Sequence, residues 1–560
     1  MKAFRDARRA VLLTMCLLSA CAAADPTRGA KGPPPSNSAG NFLAGRFSLA
    51  HGDFERAADE LLGALEANPN DRELLIQTFI ACVNAGRPEA VQLARRLPGN
   101  QVAHLLLAND AAKSGDWKEA IQRFRAVPGD GVMQLLQPVL VAWAAQGMGD
   151  TDQALAALRP SLSNPRFRSI VALHAGMIAD LAGRSVEAAE FYQIAEPELG
   201  AQSPRSALIL ASWHARSGRT ALASRLLTDM TAAVPEAAIA LPGLLQAASR
   251  RPVARALEGM SEAYATFAAA LRGPETGELS SIMSRLALDT RPDSATARLL
   301  ASDAQSAARR YEVALSLLDE AVRSSDPLVP LIRLRRAALL HQLGRSEEAI
   351  REVERVSRDY PDSAIPDIQL GDYLRLKQRH AEAIAAYNRV IARIRQTKPD
   401  DWGVYYSRGI AYERSGQWSR AEADFSRALE LSPDQPSVLN YLGYAWADMG
   451  RNLDKAQDMI QKAAARRPND GAIADSLGWV AYRRGRLAEA VKHIERAVGL
   501  EPEDPTVTDH LGDVYWAVGR RIEAHYQWRR ALTLKPTPED AAKIQAKIKS
   551  HPYDALASGK

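Results

Sequence analysis

The 560 residues are 46% hydrophobic and 24% charged, which is normal for a folded, soluble body. The formal net charge is +5, but Lys2, Arg5, Arg8 and Arg9 against Asp6 hold three of those charges, and the +2 that remains argues against a nucleic-acid polymer as partner. Of three cysteines, Cys16, Cys21 and Cys82, only Cys82 belongs to the body of the chain, so no disulfide framework exists.

Residues 1–20 read as a signal peptide. Basic side chains come first, then an apolar run from Val11 to Ala20 that is too short to span a bilayer as a permanent helix. The run ends in Leu18-Ser19-Ala20-Cys21. This string resembles a bacterial lipobox, which implies cleavage before Cys21 and acylation of its thiol. Acyl chains then hold the protein at a membrane surface, each buried methylene contributing roughly 0.8 kcal/mol. The alternative is an ordinary signal cut after Ala24, giving a soluble periplasmic protein. By resemblance to enterobacterial lipoproteins, Ala22 after the anchor points to the outer membrane. Residues 21–40 are the lipid anchor and a Pro-, Gly- and Ser-rich flexible tether.

Residues 41–235 are helix-like and paced by glycines. The stretch 45–69 combines Gly45, Gly52, Ala57, Leu61, Ala64 and Pro69; beyond it the pattern is degenerate, with Gly86, Gly115, Gly149, Gly183 and Gly218 keeping the beat. Cys82 sits in an apolar helical stretch and reads as a small buried residue. Residues 236–294 stay helix-like but lose the pattern, as an irregular connector would. Residues 295–536 regain it. A glycine recurs at 409, 443, 478 and 512, about one 34-residue unit apart. Around these glycines the offsets are fixed. Gly416, Gly485 and Gly519 end the first helix of a unit. Ala421, Ala490 and Ala524 are small where helices cross. Phe425, Ile494 and Trp528 fill the core, and Pro433, Pro502 and Pro536 end the second helix. This pattern resembles the tetratricopeptide repeat (TPR), a helix–turn–helix unit that must stack on its neighbours to bury its apolar face. The resemblance implies an all-α superhelical solenoid, expected here as two halves joined by residues 236–294. Residues 537–560 read as a polar capping helix and tail. No strand segment is expected.

The chain lacks GxxxxGK[ST], GxSxG, HExxH and CxxC, and its ten histidines never pair at helical spacing. Neither an enzyme nor a bound cofactor or metal is therefore expected. Binding is expected on the inner face of the solenoid. The positions that share that face include Tyr406, Asn440, Tyr444, Asp475, Trp479, Tyr482, Arg483, Asp509, Asp513 and Trp516. Aromatic surface supplies burial, while amides and carboxylates fix a peptide backbone. The acidic members favour a partner with basic groups. The competing reading is that Tyr444, Trp479 and Trp516 pack between repeats and only stabilise them.

Residues 437–532 are more specific than a generic repeat. Strings such as NYLGYAWAD, IADSLGWVAYRRGRLAEAVKHIERA and DHLGDVYWAVGRRIEA resemble the C-terminal repeats of large proteobacterial TPR outer-membrane lipoproteins, among them the adaptor of the carboxyl-terminal processing protease. That resemblance implies an envelope adaptor presenting cell-wall hydrolases to a periplasmic protease. The alternative is a structural component of an outer-membrane export or assembly machine.

Overall fold

The computed structural model describes residues 38–128, 132–271 and 276–551. Cys21, the signal peptide, most of the tether and residues 552–560 lie outside the described residues. All regular structure among the described residues is helical, as expected. The chain divides into two compact units, Met1–Ala90 and Val91–Lys560.

The first unit contains α1 (Ser38–His51), α2 (Phe54–Ala67), α3 (Arg72–Ala85) and the start of α4 (Glu89–Arg95). Asp53 caps α2 by accepting from the Arg56 amide, and Gly45 lets α1 close on α2. A Cβ there would fall 2.6 Å from Leu61 Cγ. Phe54, Ala57, Leu61, Phe79 and Cys82 form the core. Burial, with Glu89 nearby, pushes the Cys82 thiol up to about 12, so it stays a protonated apolar filler.

The second unit begins with four hairpins: α5 (Gln101–Lys113) with α6 (Trp117–Arg125), α7 (Met133–Gly147) with α8 (Thr151–Leu162), α9 (Arg168–Leu181) with α10 (Ser185–Leu199), and α11 (Pro204–Arg216) with α12 (Thr220–Ala233). A 3-10 turn, Pro235–Ala240, and the short α13 (Leu241–Ala247) follow. Next come α14 (Ala256–Ala270) with α15 (Gly277–Thr290), α16 (Ala295–Ala307) with α17 (Tyr311–Ala321), α18 (Val329–Gln342) with α19 (Ser346–Asp359), and α20 (Ile365–Leu376) with α21 (His380–Arg393). The last pairs are α22 (Trp402–Arg414) with α23 (Trp418–Leu431), α24 (Pro436–Asp448) with α25 (Leu453–Arg466), α26 (Gly471–Arg483) with α27 (Leu487–Leu500), and α28 (Pro505–Ala517) with α29 (Arg521–Thr533). A single helix, α30 (Pro538–Ser550), ends the series.

The spacing of small and large residues explains each hairpin. At Gly478 a Cβ would stand 2.2 Å from Ile494 Cγ1, and at Gly512 it would stand 2.4 Å from Trp528 Cδ1. Only hydrogen fits, so the two helices of a pair approach through that gap while Ala490 and Ala524 vanish completely into the contact. Charged residues lock other pairs: Arg408 on α22 donates to Asp424 on α23 at 2.7 Å, and Arg333 on α18 to Glu352 on α19 at 2.9 Å. First helices also touch the next first helices, α24 with α26 and α26 with α28, so they form the inner row of the stack.

Within residues 236–294, α14 and α15 pair with each other, and α14 lies against α7, a first helix of an earlier hairpin. A Cβ at Gly259 would fall 2.3 Å from Trp143 Cδ2. The Tyr264 hydroxyl donates to Asn109 Oδ1 at 2.9 Å, and Lys113 pairs with Asp289 at 2.6 Å, so the segment is tied to α5 as well as α7.

Candidate functional site

The inner row offered by α22, α24, α26, α28 and α30 brings the expected groove residues together. Helical spacing decides this. Asn440 and Tyr444, Asp475 and Trp479, and Asp509 and Asp513 are each four apart, so each pair projects from one face of its helix. Stacking then repeats that face every 34 or 35 residues.

Much of this face is knitted to itself. The Trp479 indole is 8% exposed, lies stacked on His510 with centroids 4.1 Å apart, and donates through Nε1 to Asp448 Oδ1 at 3.2 Å. Asp475 is also buried, its two carboxylate oxygens 3.0 and 2.8 Å from His510 Nδ1. The ammonium of Lys547 on α30 donates to both Asp509 and Asp513 at 2.7 Å. Trp516 stacks on His551 at 4.1 Å and tilts against Trp528 at 5.7 Å. Arg483 reaches back to the Asp448 carbonyl of the preceding repeat. These contacts turn the acidic and indole members of the row into bonds between neighbouring helices.

The electrostatics follow from that burial. Burial opposes a charged His510, but the Asp475 carboxylate, with Asp509 and Asp513 near it, outweighs burial and raises its pKa above the ordinary 6.5. Burial, helped by Asp513, raises Asp509 above the usual carboxylate value. Burial also opposes the Lys547 ammonium, yet Asp513 and Asp509 hold its pKa above the ordinary 10.5. The acidic charge on this face is therefore balanced from within.

What remains open lies towards α22 and α24 and at the C-terminal end of α26. Tyr406, Asn440, Tyr444 and Tyr482 are half-buried, and Arg414 and Asp448 are exposed. Burial pushes the phenols of Tyr406, Tyr444 and Tyr482 up, so they present neutral rings and hydroxyls. Tyr444 lies 6.2 Å from the His510 ring, and Tyr441 donates to Glu413 at 3.1 Å beside Arg414. The side-chain carbonyl of Asn440 is buried and has no hydrogen-bond partner among the described residues. His510 and Lys547 were not legible as groove residues. His510 lies one position beyond Asp509, the residue one repeat on from Asp475, so it falls outside the repeated face positions.

The inner face of α5, α7 and α9 is different, because α14 lies on it. Trp143 Nε1 donates to His174 Nδ1 at 3.1 Å, and burial holds His174 neutral with its pKa near 3. Among the described residues no group of His, Cys, Asp and Glu is arranged to hold a metal ion, and no helix is long and apolar enough to cross a membrane.

Comparison with known proteins agrees with this architecture. Models of the tetratricopeptide repeat match residues 373–440, and 141–204 with 448–505. A model of a tetratricopeptide repeat-like domain matches 252–403. The chain is 32% identical over 168 residues to the TPR repeat-containing protein PA4667 of Pseudomonas aeruginosa, a stretch covering 29% of this chain and 27% of that one. It thus spans about a quarter of that relative's length. Among solved structures, a chain of the APC/C hetero-tetramer Cut9–Hcn1 is 14% identical with a TM-score of 0.38, covering 92% of this chain and 96% of its own. Yeast Tom70 is 14% identical with a TM-score of 0.36, over 82% of this chain and 99% of its own.

Proposed function

Because the chain is a tetratricopeptide-repeat protein, we propose that it is a non-catalytic protein-binding scaffold of the bacterial cell envelope, held at the outer membrane by acyl chains on Cys21 and facing the periplasm. The observation that carries the binding site is the open patch of Tyr406, Asn440, Tyr444 and Tyr482 beside Arg414. Flat aromatic surface gives burial, and the phenol hydroxyls of Tyr406, Tyr444 and Tyr482 with the Arg414 guanidinium give polar groups that fix a peptide backbone. Since Asp475, Asp509 and Asp513 are engaged by His510 and Lys547, recognition rests on the aromatic patch more than on acidic charge. The resemblance over residues 437–532 makes a periplasmic protease, with a cell-wall hydrolase as its client, the favoured partner.

The test is a mild-detergent pull-down from membranes with the intact protein and a Tyr444→Ala/Arg414→Ala variant. Trp479 is left alone because its loss would unseat His510. A soluble protease or hydrolase captured by the parent and lost from the folded variant is the expected outcome. Capture of a β-barrel or a synthase instead would favour an assembly machine, and a variant that keeps every partner would remove the patch from consideration.

A further inference from the structure

The first helix carries an apolar stripe that stays mostly exposed among the described residues, with only the His51 ring, 4.0 Å between centroids, tilted against Phe47. Leu43 is 67% exposed and Phe47 65% exposed, and their spacing of four puts them on one face of α1. Gly45 and Ser48 occupy the buried side of that helix. Arg46 stands beside the stripe, its guanidinium 5.6 Å from the Phe42 ring centroid. The helix contains no acidic residue. Water-facing leucine and phenylalanine at the open end of a repeat array are costly, since terminal repeats need a polar outer face.

Once the signal is cleaved before Cys21, the chain ahead of α1 has no large apolar side chain to supply the cover. Residues 22–40 contain no Val, Leu, Ile, Met, Phe, Tyr or Trp, so they have no side chain with which to bury the stripe. Their charge points to a different occupant. Arg28, Lys31 and Arg46 face a single acid, Asp25, across residues 22–46. Residues 22–37 separate Cys21 from α1, and sixteen residues can span at most about 54 Å. An acylated Cys21 therefore keeps α1 within reach of the leaflet that holds the acyl chains.

We infer that α1 lies on an anionic phospholipid surface, with Leu43 and Phe47 in the interfacial layer and Arg46 at the level of the phosphates. The arrangement rests on the anchored reading given above and extends it. Acyl chains supply one attachment, and a basic, apolar-faced helix supplies a second at short range. Arg46 can bury its methylene stem beside Phe42 while its charge meets a phosphate.

The experiment uses the processed lipoprotein with Phe47→Cys, labelled with an environment-sensitive fluorophore. Cys82 is buried with its thiol pushed up to about 12, so it stays unlabelled. In vesicles of phosphatidylethanolamine and phosphatidylglycerol the emission should shift to the blue and be quenched by lipids bearing an interfacial quencher. Emission equal to that in lipid-free buffer, while the protein floats with the vesicles, would overturn the proposal. So would a blue shift in lipid-free buffer that accompanies dimers in sedimentation, because a second copy would then cover the stripe. The mass of the processed N-terminus tests the anchor separately. For the mature polypeptide from residue 22, made without acyl chains, flotation at low salt should fall about tenfold in a Leu43→Ser/Phe47→Ser variant. Unchanged flotation of that variant would remove α1 from the membrane whatever the mass shows.

Discussion

Single residues set both the turns and the proton balance of this chain. Most hairpin turns place glycine at positive φ, as at Gly416, Gly485 and Gly519, but Arg309 and Gln378 hold the same left-handed conformation at φ 60° and 59°. A side chain there costs roughly 1–2 kcal/mol against glycine's freedom. Both residues are exposed, so Gln378→Gly should raise stability by about 1 kcal/mol, read from the urea midpoint; a loss of stability would show that the side chain contributes more than the strain. At these two turns the glycine that marks the end of the first helix in other repeats is absent from the sequence. His510 makes the second residue-scale prediction. Its pKa is raised in the fold, so the folded protein holds the proton more tightly than the unfolded chain. The stabilisation is complete below the unfolded value near 6.5 and is lost as pH rises through the folded value. The urea midpoint should therefore fall from pH 6 towards pH 9, and His510→Gln should flatten that slope. Asp475 on α26 and Asp509 and Asp513 on α28 are the charges that raise the His510 pKa, and Lys547 on α30 pairs with the last two.

At the scale of the element, the close approach of small residues decides which helices pair. The same device that joins α26 to α27 through Gly478 joins α14 to α7 through Gly259, although the second contact bridges more than a hundred residues. Gly259→Leu would drive a side chain into the Trp143 ring and should cost about 2–3 kcal/mol. Hydrogen exchange should show protection lost first over Ala256–Thr290, with α26 to α29 unaffected. Equal loss throughout would mean that α14 does not dock as a separate element. The contact also explains the character of that segment. Ser261, Ser280 and Ser284 are buried among apolar neighbours, each donating to a backbone carbonyl, so residues that look solvated in the sequence serve as packing surface.

At the scale of the molecule, hairpins stacked on their neighbours behave as a nearly one-dimensional system, in which damage spreads to adjacent repeats and fades beyond them. Trp528 is 1% exposed and shares a core with Leu511, Val514 and, on α30, Ile544. Trp528→Ala should cost about 3–5 kcal/mol and raise exchange across α26 to α30 while α5 to α9 keep their protection. Uniform loss across the second unit would mean that it unfolds as one cooperative body.

The repeat itself was written in the sequence, because each unit needs a small residue opposite a large one at a fixed distance along the chain, as in Gly409 opposite Phe425 and Gly478 opposite Ile494. The helical class, the hairpin pairing and the shared face of Asn440, Tyr444, Asp475 and Trp479 follow from that periodicity alone. The occupancy of the face did not. Trp479 is held by His510, Asp509 and Asp513 are held by Lys547, and the inner side of α5, α7 and α9 carries α14. These are contacts between residues on different repeats, 31 or more positions apart, and periodicity records the position of a side chain on its helix but not what the fold brings against it.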